Sequence, residues 1–175
     1  TKHVSFLGVF QRWFKKEPES GANRREKPRV NAPQGTRVLI IDDSTTIQAV
    51  LRKLLTQNGY EVVEALDAEK GLELARSHPP HLIFLDIILP GMNGFAALRL
   101  LRRDPGTKDT PIIMMSGNEQ ATEQFYAQRI GADDFMKKPF SRAELFARSE
   151  RRLDADLIPR RSTAPVVDEN PGPIG

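Results

Sequence analysis

Short strand-like runs alternate with helical stretches along this chain, and that alternation limits the fold more than any other feature. The runs are 37–41 (RVLII), 60–65 (YEVVEA), 81–85 (HLIFL), 111–115 (PIIMM) and the short 134–137 (DFMK). Each is followed by apolar residues at helical spacing. Ser44 opens the first helix, with Ile47, Leu51, Leu54 and Leu55 on one face and Asn58-Gly59 as its stop. Asp67 caps the second, which carries Leu72, Leu74 and Ala75 and ends at Pro79-Pro80. Asn93 starts the third, through Leu98, Leu100 and Leu101. The fourth covers about residues 119–130 before Gly131. Ser141 caps the last, with Glu144 at capping-box spacing and an apolar face running toward Leu153. Strands that alternate with helices make parallel βα units. Three of the runs are apolar throughout after their first residue, as expected where helices cover both faces of a sheet.

An open parallel sheet binds ligands at the carboxyl ends of its strands. Polar residues collect there: Asp42-Asp43 after the first strand, Asp86 after the third, Ser116-Gly117 after the fourth and Lys137-Lys138-Pro139 after the fifth. Three crowded carboxylates repel one another unless a cation compensates them. An all-oxygen donor set suits Mg²⁺, which binds through one or two carboxylates plus phosphate oxygens. With Lys138 as an ammonium and Ser116 as a hydroxyl, the set suits an incoming phosphoryl group, and Asp86 is the carboxylate placed to attack it. No GxxxxGK[ST] loop is present, so nucleotide binding through that motif is excluded.

LIIDDS at 39–44, LDIILPGMNG at 85–94, MMSG at 114–117 and DDFMKKPF at 133–140 together resemble the receiver domain of two-component response regulators. The resemblance implies a flavodoxin-like (βα)5 fold, a five-stranded parallel sheet of order 2-1-3-4-5 with helices on both faces. It implies that Asp86 is the phosphoacceptor. Asp42 and Asp43 would be the acidic pair, with Asp43, Asp86 and the main-chain carbonyl of Ile88 as direct Mg²⁺ ligands. Ser116 would be the switch hydroxyl, Lys138 the phosphate-binding lysine, and the Lys138-Pro139 bond cis. Phe135 would be the aromatic switch, swinging inward after Ser116 moves. A histidine kinase or phosphotransfer protein would supply the phosphoryl group. A downstream protein would bind the face made by helix four, strand five and helix five. Such a chain is a signalling switch rather than an enzyme with a separate substrate. The narrower likeness is to stand-alone regulators of chemotaxis and of twitching motility driven by type IV pili. An Mg²⁺-dependent phosphohydrolase is the alternative use of the same carboxylates, and it needs a substrate pocket and a water-activating base that the sequence does not display.

Charge divides the chain. Residues 1–37 hold nine Lys/Arg against three Asp/Glu, whereas residues 38–150 hold 13 against 16. The basic excess therefore lies in an arm, and the mildly acidic body argues against a nucleic-acid groove. The expected layout is a basic amphipathic helix at 1–17, a flexible linker at 18–35, the receiver at 36–153 and a disordered tail at 154–175. Within 4–16, Phe6, Leu7, Val9, Phe10, Trp13 and Phe14 occupy an arc of roughly 160° opposite Gln11, Arg12, Lys15 and Lys16. That helix can lie on an anionic membrane, fill a partner's groove, dock on its own receiver or join two copies as a dimer. With no Cys and no spanning segment, the chain reads as cytoplasmic, and as peripheral to the inner membrane if residues 4–16 bind lipid.

Overall fold

The computed structural model describes residues 33–117, 121–153 and 158–161. The amphipathic helix expected at 1–17 and most of the expected linker lie outside them. The described elements are β1 (Arg37–Ile41), α1 (Thr45–Thr56), β2 (Glu61–Ala65), α2 (Ala68–Ser77), β3 (Leu82–Asp86), α3 (Gly94–Arg103), β4 (Ile112–Ser116), α4 (Ala121–Arg129), β5 (Asp134–Lys137) and α5 (Arg142–Glu150). All four strand pairings are parallel, and the sheet order is β2-β1-β3-β4-β5. The flavodoxin-like arrangement implied by the motifs is the one observed.

Four helices start where a side-chain oxygen takes an orphan backbone N–H. Ser44 accepts from Ile47 N at 3.3 Å, Asp67 from Lys70 N at 2.7 Å, Asn93 from Ala96 N at 2.9 Å and Ser141 from Glu144 N at 3.0 Å. Because side chains alternate along a strand, each strand feeds two cores. Val38, Ile40, Phe84, Ile113 and Met136 pack with α1 and α5. Leu39, Ile41, Leu85, Met114 and Phe135 pack with α2, α3 and α4. β3 and β4 are buried at every position, which explains their lack of apolar–polar alternation.

Two boundaries differ from expectation. α5 stops at Glu150; residues 151–152 form a turn, and Leu153 leaves the helix while still packing against the α1–α5 core. The expected tail is not featureless either. Leu153 forms an antiparallel bridge with Pro159, and Arg160 N donates to Arg152 O at 2.6 Å. Pro159 is buried, and Arg161 reaches Asp133 at 3.0 Å. Residues 158–161 thus belong to the folded body, held by a guanidinium rather than by an apolar stripe.

Candidate phosphoryl-transfer site

Parallel strands bring every strand's carboxyl end to one rim, so residues distant in sequence become neighbours. Asp42 is fully buried and Asp86 nearly so, whereas Asp43 is exposed. One carboxylate oxygen from each of the three lies within 4.8 Å of the others. Lys138, 96 residues beyond Asp42, places Nζ 2.6 Å from Asp42 Oδ2 and 3.1 Å from Asp86 Oδ2. The Lys138-Pro139 bond is cis, as the resemblance implies. Lys137, its neighbour, is exposed.

Asp42 is fixed from both sides. Its Oδ1 accepts from Ser44 N at 2.8 Å, which leaves Oδ2 for the lysine. Its main-chain carbonyl accepts from Gln48 Nε2 at 3.1 Å, and the same amide donates to Ala65 O at 2.8 Å and Ile40 O at 3.2 Å. Gln48 therefore ties the ends of β1 and β2 to α1. Sequence reasoning misses it. The available signal is a polar residue beside Ile47 and Leu51 on an otherwise apolar helical face.

Asp86 is shaped by the start of α3. Gly94 N donates to Ile87 O at 2.8 Å, so the first turn of that helix presses on the β3 exit. A Cβ at Gly94 would fall 2.0 Å from Asp86 O, which only glycine avoids. Burial pushes the Asp86 carboxyl up to about 6, with Asp42 adding to the rise; Lys138 and the Ile88 N–H pull the other way. Ile88, two residues beyond Asp86, is 60% exposed.

The fit to a divalent cation can be judged from the donors. Three carboxylates share one ammonium, and Asp43 takes part in no salt bridge among the described residues. The donors are all oxygen, and two are buried, so added positive charge would relieve both repulsion and desolvation.

Ser116, at the end of β4, is buried, and its main-chain carbonyl accepts from Lys138 N at 2.8 Å. Its hydroxyl donates to Glu123 Oε2 on α4 at 3.0 Å. Glu123 is a second residue that motif matching does not reveal. Phe135 is already inside, 4% exposed and packed in the α2–α4 core. The expectation of an inward swing on activation starts from an outward ring, which this structure does not have. A Phe ring lacks a hydroxyl to keep wet, so burial costs it nothing polar and stabilises it by roughly 1.5–3 kcal/mol.

The family model for the response regulator receiver domain matches residues 38–150. Protein PilH of Pseudomonas aeruginosa is 38% identical over 103 residues, 59% of this chain and 85% of that protein. The transcriptional regulator RpaA of Synechocystis is 37% identical over 139 residues, 79% of this chain but 57% of its own length. The chain thus spans little more than half the length of such DNA-binding relatives. Among solved structures, chemotaxis protein CheY4 of Vibrio cholerae superposes with a TM-score of 0.64 at 29% identity, covering 67% of this chain and 98% of that one. The receiver domain of a Pseudomonas aeruginosa sensor histidine kinase, solved with magnesium coordinated in its active-site cleft, gives 0.62 at 28% identity, covering 67% and 96%.

Proposed function

Since the chain belongs to the response regulator receiver family and is a signalling switch that accepts a phosphoryl group on an aspartate, we propose that the acceptor is Asp86. The observation that carries this is the shared ammonium: Lys138 Nζ stands 2.6 Å from Asp42 and 3.1 Å from Asp86, with Asp43 on the same rim. Asp86 attacks phosphorus, a new oxygen–phosphorus bond forms, and the donor departs with the electrons of the bond that breaks. Lys138 donates to one phosphoryl oxygen, and the Ser116 hydroxyl turns to another. Asp42, Asp43 and Asp86, with the Ile88 carbonyl, would hold Mg²⁺. Bound there, Mg²⁺ neutralises charge on the phosphoryl oxygens.

The donor is read as a phosphohistidine on a kinase or phosphotransfer protein, and the output as a protein contact at the α4–β5–α5 face. Similarity to PilH and to CheY4 supports a chemotaxis-like or motility regulator. The basic aromatic arc at 4–16 is read as a membrane or partner anchor, and flotation of the full chain with anionic vesicles tests it.

Acetyl phosphate tests the chemistry. With Mg²⁺ we expect one phosphoryl group per chain, and none in Asp86→Ala. Labelling that survives this substitution would refute the assignment. Catalytic turnover of a generic phosphoester would favour a phosphohydrolase instead.

A further inference from the structure

The Ser116–Glu123 hydrogen bond crosses from the end of β4 to the first turn of α4. An acidic residue in a first turn is ordinarily explained by the helix dipole, and that accounts for a glutamate at this place. It does not account for the aim of the carboxylate at the hydroxyl of a serine that is 1% exposed. A serine hydroxyl has one proton to donate. While that proton serves Glu123, it cannot serve a phosphoryl oxygen on Asp86. Main-chain movement of Ser116 is opposed on both sides, because β4 is paired with β3 and with β5 and Ser116 O also accepts from Lys138 N. Rotation of the side chain is the motion left to it, and it starts from the bond to Glu123.

Phe135 sharpens the point. Its ring already lies in the α2–α4 core, so no outward-to-inward swing is needed to place it there. The Ser116–Glu123 bond is a direct link from the reacting rim to α4, one edge of the output face.

We propose that Glu123 is a positioning residue that holds Ser116 in its resting orientation, and that phosphoryl binding displaces it and thereby frees the start of α4. This rests on Asp86 being the acceptor. Glu123 opposes occupancy of the site: the hydroxyl must leave a carboxylate before it can reach the phosphoryl group.

The test is binding of beryllium trifluoride, a phosphoryl mimic, to the full chain in Mg²⁺. Glu123→Ala should tighten binding about tenfold, the scale of one charge-assisted hydrogen bond. Glu123→Gln, which keeps a weaker acceptor, should tighten it less. In a Ser116→Ala background neither substitution should change the affinity. A structural defect weakens binding, so tightening is a readout that damage does not produce. Unchanged or weaker binding in both variants overturns the inference while leaving Asp86 as acceptor. Equal tightening in the Ser116→Ala background also overturns it, because plain charge relief then suffices. Absence of binding to the unmodified chain overturns this reading and the acceptor assignment together.

Discussion

Asp86 is a buried acid held beside a second buried acid, and its titration carries a stability consequence. Unfolded, it ionises near 3.8; folded and without a divalent cation, near 6. The folded state therefore binds the proton more tightly, and stability falls as pH rises through that window. The loss is absent below about pH 4 and complete above about pH 6, where it reaches about 2–3 kcal/mol. Asp86→Asn removes it. We expect the variant to melt higher than the unmodified chain at pH 7.5 in chelator and to lose its advantage below about pH 4. Mg²⁺ at pH 7.5 should raise the melting temperature of the unmodified chain and not that of the variant. Equal melting curves at both pH values would contradict the burial argument. Asp42, Asp43, Asp86, Ser116 and Lys138 were readable in the sequence because each follows a run of strand character. Gln48 and Glu123 were not, since each acts through a neighbour that only the folded backbone supplies.

Among the elements, the β3–α3 junction is the tightest. Gly94 stands in the first turn of α3 with no room for a Cβ, and the obstructing atoms are main-chain, Asp86 O at 2.0 Å and Ile87 Cα at 2.8 Å. Backbone cannot swing aside as a flexible side chain does. Gly94→Ala should therefore destabilise the chain by about 2–3 kcal/mol, although alanine favours helix by about 1 kcal/mol. It should also slow acetyl phosphate labelling by shifting Asp86. A neutral or stabilising outcome in urea unfolding would show that the junction yields. The helix starts were legible because a cap is a local device: Ser44, Asp67, Asn93 and Ser141 need only their own next turn. The end of α5 was less so, since Leu153 left the helix to pair with Pro159, a contact that depends on where the chain returns.

Across the whole molecule, the amino ends of the strands are tied by a charge cluster. Asp133 accepts from Arg102 Nη2 at 2.7 Å, Arg161 Nε at 3.0 Å and Ile112 N at 2.8 Å. The Arg102 side chain is only 10% exposed and also donates to Gly131 O at 2.8 Å and Thr110 O at 2.6 Å, whereas that of Arg161 is 36% exposed. Removing the buried partner strands a buried carboxylate; removing the outer one does not. In urea we expect Arg102→Ala to cost about 3–5 kcal/mol and Arg161→Ala about 1 kcal/mol or less. Equal losses would mean that residues 158–161 hold the body as firmly as α3 does. A Pro-rich stretch with little apolar material gave no sequence hint of this, because one guanidinium and one proline suffice to dock it.

Gly35, just before β1, bonds to Gly59 O, and Arg161 bonds to Asp133 just ahead of β5. Both attachments therefore sit on the side of the sheet away from Asp86. Whatever is fastened there, whether an affinity tag, a resin or a lipid surface, leaves the chemistry pointing outward, so a tethered copy should still meet a bulky phosphodonor as readily as one diffusing freely.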